Sequence, residues 1–123
     1  MKALIAAAMT VSELVESFAA LAVAQDEAIF HEDNAKYRKL YDQMHAVATE
    51  LKSRPGDQRR ALLPLYTNAN VQVRLTAALN TLDFAAPSAR EVLQSIVDFR
   101  RYPQAADALA AIRRLDGKPI VPK

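Results

Sequence analysis

The chain contains no cysteine and only two glycines among its 123 residues, Gly56 and Gly117. The missing cysteines exclude disulfides, iron–sulfur clusters, zinc sites built on thiolates, and cysteine nucleophiles. Two isolated glycines are too few for the glycine-rich loops that hold phosphates or dinucleotides. A Ser-His-Asp order and a nucleophile elbow are also missing. We therefore expect no catalytic residues, no cofactor and no enzymatic activity.

The residue in excess is alanine, which occurs 24 times and has the highest helix propensity. Hydrophobic residues make up 51% of the sequence, which is enough for a chain of this length to bury one core. We predict a single all-α domain over residues 1–123. The lack of cysteine fits a reducing compartment, so we also predict a cytoplasmic location.

Charge is divided unevenly between the two halves, although the net charge is only +2. Residues 1–57 carry 6 Lys/Arg and 9 Asp/Glu, a net charge of −3, and residues 58–123 carry 10 and 5, a net charge of +5. Nucleic-acid-binding domains usually carry a larger and more clustered basic excess, so this is weak evidence for such a role. The apolar start MKALIAAAM is much shorter than the roughly 20 residues of a membrane span, and we expect no membrane association. Either Met1 or Met9 could be the native start.

Residues 10–54 are predicted to form a long antiparallel hairpin of two amphipathic helices. Thr10 and Glu13 have the spacing of a capping box at the start of the first helix. Asp33 or Asn34 caps the second, and the Pro-Gly pair after residue 54 ends it. Apolar residues recur every three or four positions and predict the buried faces. These residues are Leu14, Val15, Phe18, Leu21, Ala22, Ala28 and Ile29, then Tyr37, Leu40, Tyr41, Met44, Val47, Ala48 and Leu51.

Residues 57–116 are predicted to form four shorter α-helices, the first of them bent at Pro64, followed by a tail over residues 117–123. Each helix has a capping residue or a proline suited to its N-terminus: Asp57, Asn70, Pro87 and Pro103. A shift of thirty residues superimposes the first pair of helices on the second, which suggests one hairpin used twice. The matched positions are Arg60 with Arg90, Leu62 with Val92, Leu63 with Leu93, Ala78 with Ala108, Leu79 with Leu109, and Leu82 with Ile112.

The stretch NANVQVRLTAALNTL, residues 68–82, resembles a HEAT-type helical repeat. The residues that carry this resemblance are Asn70, Val73, Arg74, Ala77, Ala78 and Leu79. The wider pattern, from LAVAQDEAIF through YRKLYDQM, ELKSRPGDQRRALLPL and PSAREVLQSI to YPQAADA, resembles a bacterial family known as domain of unknown function two thousand and nineteen. That resemblance runs from about Ser12 to Gly117. It implies an all-α superhelix of the armadillo/HEAT kind, with about six helices, and no known activity.

One group of residues could hold a metal. Glu27 and His31 are four residues apart, so they share a helix face, and Glu32 and Asp33 follow directly. His45 on the second helix could complete a two-histidine site. Solvated side chains at a helix end are far more common than a metal site, so we predict no bound metal and keep a metal-dependent enzyme around His31 only as the least favoured alternative.

The arginine doublets differ in their helix positions. Those at 100–101 and 113–114 fall at helix C-termini, where the helix dipole favours positive charge, so they need no ligand. Arg59 and Arg60 fall in a first turn, where the dipole disfavours them, and they are the candidates for contacting an anion or an acidic partner surface. Arg74 is predicted to be structural, pairing with a carboxylate or a carbonyl of a neighbouring hairpin.

We therefore expect a non-enzymatic module that binds another protein through its exposed second helices, with a homo-oligomer left open. The alternative is a nucleic-acid-associated protein that uses the C-terminal arginines. We disfavour it because the chain has no tryptophan and we recognise no interleaving of aromatic and basic residues.

Overall fold

The computed structural model describes residues 6–117, and over that range the chain is helical without any strand. This confirms the predicted all-α class. Six helices lie wholly within the described residues: α1 Val11–Phe30, α2 Asn34–Ser53, a 3₁₀ helix Gln58–Thr67, α3 Val71–Thr81, α4 Ala86–Phe99 and α5 Gln104–Leu115. The chain divides into two compact units, Met1–Leu65 and Tyr66–Lys123. The predicted tail comprises residues 117–123, and its residues after Gly117 lie outside the described range.

The first unit contains the predicted long hairpin, in which α1 and α2 pack against each other. Thr10 Oγ1 accepts a hydrogen bond from the Glu13 backbone N–H at 3.1 Å, and the Thr10 N–H donates to Glu13 Oε1 at 2.8 Å, so the capping box is confirmed. Most of the predicted stripe is buried, but Tyr41 is 56% exposed and the prediction for it is wrong. Gln25, which was not predicted, is buried in α1. The buried residues of the two helices are Leu14, Phe18, Ala22, Gln25 and Ala28, then Leu40, Met44, Val47, Ala48 and Leu51.

The connection between α1 and α2 is closed by backbone hydrogen bonds. Glu32 takes the left-handed conformation, with φ of 55°. Its N–H donates to the Ile29 carbonyl at 3.1 Å, and the Asp33 N–H donates to the Ala28 carbonyl at 2.9 Å. This is the Schellman pattern that ends a helix. Asp33 is also the cap of α2, because its Oδ1 accepts from the Lys36 N–H at 3.1 Å. One residue thus ends α1 and begins α2.

Arg54, which caps the C-terminus of α2, holds the segment that precedes α1. Its Nη2 donates to the carbonyl oxygens of Ala6 at 3.2 Å and Met9 at 2.8 Å, and its Nε bonds Glu50 Oε2 at 2.6 Å. Ala6 is fully buried. The two ends of the hairpin are therefore joined by a guanidinium that contacts backbone atoms.

The segment predicted as an α-helix bent at Pro64 is a 3₁₀ helix, and this part of the prediction is wrong. In an α-helix the Pro64 ring would clash with the carbonyl of Arg60, and the missing N–H would break the bond to it. A 3₁₀ helix winds with about three residues per turn, so the carbonyl of residue 60 does not lie opposite the Pro64 ring and the clash is avoided. Asp57 begins the segment as expected, since its Oδ1 accepts from the Arg59 N–H at 3.3 Å.

In the second unit α3 contacts both α4 and α5, which also pack against each other. The apolar faces of the three helices meet in one cluster of aliphatic side chains, against which Tyr66 and Leu82 also pack. Gln72 and Gln104 are buried, and Gln104 Nε2 donates to Gln72 Oε1 at 3.0 Å. The cluster consists of Val71, Leu75, Ala78, Ala89, Leu93, Ile96, Ala108, Ala111 and Ile112.

The thirty-residue repeat is partly visible in the burial of matched positions. Ala78 and Ala108 are both fully buried, and Leu79 and Leu109 are exposed by 38% and 40%. Within each unit successive α-helices pack against each other, whereas a HEAT-type repeat stays a prediction. Within residues 6–117 no helix combines the length and the apolarity that crossing a membrane requires.

Candidate functional site

Large aromatic side chains are exposed where α4 ends and α5 has not yet begun. Phe99 is 63% exposed and Tyr102 is 68% exposed, and Arg100 and Arg101 between them are exposed as well. We call residues 99–102 the α4–α5 turn. Scattered exposed aliphatic residues are ordinary, but aromatic residues beside arginine have the composition of interface centres.

The backbone of the α4–α5 turn is held by its own hydrogen bonds. Arg100 takes the left-handed conformation (φ 62°, ψ 26°), and its N–H donates to the Val97 carbonyl at 3.1 Å. The Ala105 N–H donates to the Arg101 carbonyl at 2.7 Å. These backbone groups have hydrogen-bond partners within the chain, so they do not need the exposed side chains of the turn as partners.

The turn is also anchored to α3. Gln104 follows Tyr102 by two residues, and its buried amide bonds Gln72 in the first turn of α3. The N-terminal ends of α3 and α5 therefore lie together, at the end of the second unit where α4 finishes. A binding group presented from rigid helices loses less entropy on association than one presented from a mobile loop.

The loop before α3 contains Asn70 and Arg74, the two residues predicted as structural. Asn70 Oδ1 accepts from the N–H groups of Gln72 at 2.8 Å and Val73 at 3.2 Å, which is the geometry of a helix cap. Arg74 Nη1 donates to the carbonyl oxygens of Asn68 at 2.7 Å and Ala69 at 3.1 Å. The guanidinium thus bonds the loop of its own helix, and the predicted partner in a neighbouring hairpin is replaced by these carbonyls.

Arg59 and Arg60 were the predicted partner-binding residues, and they differ in their exposure to solvent. Arg59 is only 9% exposed, and its guanidinium grips Asp57, with Nε to Oδ1 at 2.9 Å and Nη2 to Oδ2 at 2.7 Å. This hydrogen-bonded arginine lowers the pKa of the Asp57 carboxyl to about 2. The helix dipole disfavours the positive charge of Arg59 near a helix N-terminus, and the carboxylate of Asp57, which precedes the helix, compensates for it. Arg59 therefore needs no external anion. Arg60 is exposed.

The histidines do not come together with acidic residues into a metal site. His31 and His45 are both exposed, and His31 is the C-cap of α1, with its ring edge-on to Phe30 at 5.1 Å between centroids. No group of three or more histidine and acidic side chains in the described part of the chain is arranged to hold an ion.

The other shifted titratable groups have local causes. Burial raises the pKa of Tyr66, whose hydroxyl is hydrogen-bonded to Thr81, and burial also raises the pKa of Asp107 in the first turns of α5. The hydrogen bond from Arg90 to Asp116 raises the pKa of that guanidinium. These shifts accompany packing and pairing within the second unit, and none of them forms part of a nucleophile with an adjacent base.

The sequence interpretation missed Phe99 and Tyr102. It explained Arg100 and Arg101 by the helix dipole and overlooked the aromatic residue on either side of them. The available signal was the run FRRYP, in which the proline marks a helix start and so places the preceding residues in a turn. Tyr102, in that turn, has no helix face on which to be buried, and Phe99 is the last residue of α4.

Comparison with known proteins supports the predicted family. The family model described as Domain of unknown function (DUF2019) matches residues 12–116. The chain is also similar to a solved structure, the crystal structure of the protein RPA1889 from Rhodopseudomonas palustris CGA009, with 43% sequence identity and a TM-score of 0.88. That match covers 95% of this chain and 97% of the other. No curated protein matches.

Proposed function

The chain belongs to the DUF2019 family, and we propose that it is a non-enzymatic protein-interaction module whose binding surface is the α4–α5 turn. The observation that carries this proposal is the exposure of Phe99 and Tyr102 on either side of two arginines. Tyrosine and arginine are enriched among the residues that dominate binding energy, and large aromatic residues contribute much contact area at low entropic cost.

The chemistry of the turn specifies the kind of partner. Two guanidinium groups favour an acidic surface, because arginine bonds carboxylates in a forked geometry. Two aromatic rings favour apolar side chains among those carboxylates. The partner we propose is therefore an acidic protein surface with exposed apolar residues. HEAT-like repetition and a cytoplasmic location remain part of the proposal, supported by the matched burial of positions thirty residues apart and by the lack of cysteine.

Site-specific photo-crosslinking in the organism that encodes the protein tests this function. A photoreactive phenylalanine analogue replaces Tyr102, and a matched control carries it at Glu91, an exposed position within α4. We expect one protein to crosslink from position 102 and not from position 91. Adding Arg100→Glu and Arg101→Glu should abolish that product, because charge reversal repels an acidic partner.

Two results would contradict the proposal. One is a set of crosslinks that is the same from both positions. The other is a product from position 102 that survives the charge reversal. Crosslinking to nucleic acid from position 102, with retention that falls steeply as salt rises, would assign the same turn to the alternative function.

A further inference from the structure

A second exposed aromatic turn lies in the first unit. Phe30, the last residue of α1, is 78% exposed, more than any other large hydrophobic residue in the described part of the chain. We call residues 27–33 the α1–α2 turn. Its charged residues are acidic: Glu27 in the last helical turn, then Glu32 and Asp33 after His31.

The acidic residues of this turn are available for binding. The carboxylates of Glu27 and Glu32 make no hydrogen bond or ion pair with any residue between 6 and 117. Their position at the C-terminus of α1 is unfavourable, because a helix C-terminus carries partial negative charge. Neither helix stability nor a partner within the described chain accounts for two acidic groups at this place.

The α1–α2 turn is also rigidly shaped. The Schellman bonds from Glu32 and Asp33, together with the capping bond that Asp33 accepts, fix the path of the backbone on both sides of His31. Phe30 and the acidic groups are therefore presented from a backbone that is held by hydrogen bonds. The same is true of the α4–α5 turn, which is fixed by its own backbone bonds and by the amide pair between Gln72 and Gln104.

We propose that the α1–α2 turn of one copy of this chain docks on the α4–α5 turn of a second copy. This inference rests on the proposed function, to which it adds the identity of the partner. The two turns are complementary in charge, with Glu27 and Glu32 on one and Arg100 and Arg101 on the other. Each also has an exposed phenylalanine as the last residue of a helix, Phe30 in α1 and Phe99 in α4.

Charge complementarity is strengthened by the groups that lack a partner. The Arg100 side chain, like those of Glu27 and Glu32, makes no hydrogen bond or ion pair with any described residue. Docking would pair these charges while covering Phe30 with the rings of Phe99 and Tyr102.

The geometry of such an association is heterologous, because different surfaces meet. After one contact forms, one copy still has a free α4–α5 turn and the other still has a free α1–α2 turn, so association continues to a closed ring or an open chain. Two small turns bury less area than a standard interface, so we expect a dissociation constant on the order of 10–100 μM. The charged contact should weaken as the Debye length falls from about 8 Å at 0.15 M salt to about 3 Å at 1 M.

Sedimentation equilibrium of the full chain over a concentration series is the first test. The weight-average mass should rise above the 13.6 kDa of one chain as concentration increases, and it should fall back at high salt. One variant carries Glu27→Lys and Glu32→Lys, and a second carries Arg100→Glu and Arg101→Glu. Each alone should associate at least about tenfold more weakly, because like charges then meet at the contact.

Mixing the two variants is the decisive experiment. The lysines of the first variant then face the glutamates of the second, and the two unaltered turns also match. We expect the mixture to regain association that neither variant shows alone. Far-UV circular dichroism and urea unfolding of each variant verify that both are folded.

Each outcome bears on the self-association proposal or on the wider function. A chain that stays monomeric at millimolar concentration and low salt overturns self-association, as does a mixture that behaves as the sum of its parts. If Tyr102 nevertheless crosslinks to a different protein, the interaction function stands and only the identity of the partner is wrong. If neither association nor crosslinking is found, both proposals fail.

Discussion

Removing the Arg74 guanidinium should destabilise the protein through the loop that starts α3. The side chain is partly buried, and its Nη1 bonds the carbonyls of Asn68 and Ala69 at 2.7 and 3.1 Å. Hydrogen bonds to a charged group contribute about 1.5–3 kcal/mol when buried. Ala69 is exposed, so water can replace part of this contact after substitution. We therefore expect Arg74→Ala to lower the free energy of unfolding by about 1–2 kcal/mol.

A double-mutant cycle with Asn70 makes this prediction specific. Asn70→Ala removes the cap of α3 and should itself cost about 1 kcal/mol. Both side chains stabilise the same three-residue loop, residues 68–70, so their effects should fall short of additivity by about 0.5 kcal/mol or more. Arg74→Lys should restore only part of the stability, since a single ammonium lacks the planar fork of the guanidinium.

The assay is urea unfolding followed by circular dichroism, at constant pH and salt. Arg114→Ala is the matched control, because this exposed arginine in the last turn of α5 has no interaction beyond the helix dipole to lose among the described residues. It should change the free energy of unfolding by less than about 1 kcal/mol. If Arg74→Ala were no more harmful than Arg114→Ala, the structural role of Arg74 would be refuted. Full additivity of the Asn70 and Arg74 effects would contradict their action on one shared loop.

Three further perturbations test other parts of the fold. Arg54→Ala should cost about 1–3 kcal/mol, because several backbone carbonyls lose a charged donor, and faster proteolysis before residue 10 would locate the loss; unchanged proteolysis would contradict it. The lowered pKa of Asp57 stabilises the folded state above the ordinary aspartate value of 3.8, and this contribution is lost as pH falls toward about 2. Urea unfolding should therefore show an advantage of wild type over Asp57→Asn at neutral pH that shrinks through this window, and an advantage independent of pH would disprove the pairing. Leu93→Ala, in the fully buried cluster of the second unit, should cost about 2–5 kcal/mol by the same assay, and a cost below about 1 kcal/mol would show that the cluster collapses around the missing side chain.

Local rules predicted the helices well because they act over three or four residues. The Thr10 and Glu13 spacing, the Asn70 cap and the glycine at position 117 each specified a helix end that the structure has. The 3₁₀ helix escaped prediction because proline within a helical pattern is compatible with a bend, an end or a tighter winding. The sequence pattern does not select among them.

The candidate surface was harder to predict than the fold. Tyr41 shares the spacing of a buried stripe, yet burial depends on whether a neighbouring helix covers that face. Arg59 was assigned to a partner because its electrostatic position is unfavourable, and the sequence does not show that Asp57, two residues earlier, would fold back onto it. Phe99 and Tyr102 are aromatic, so the sequence alone favours their burial in the core. Only their location at the α4–α5 turn shows that they are exposed to solvent.

The way Arg54 holds the start of the first unit has an evolutionary consequence. It bonds carbonyl oxygens, which every amino acid possesses, so the contact does not depend on which side chains stand at positions 7 and 9. Sequence drift in that segment should be tolerated as long as its backbone keeps its path, and only the small buried residue at position 6 is restricted by space. Related chains should therefore align poorly over this segment while retaining the arginine. The contact then constrains the sequence at position 54 and leaves the side chains of the segment it holds free to vary.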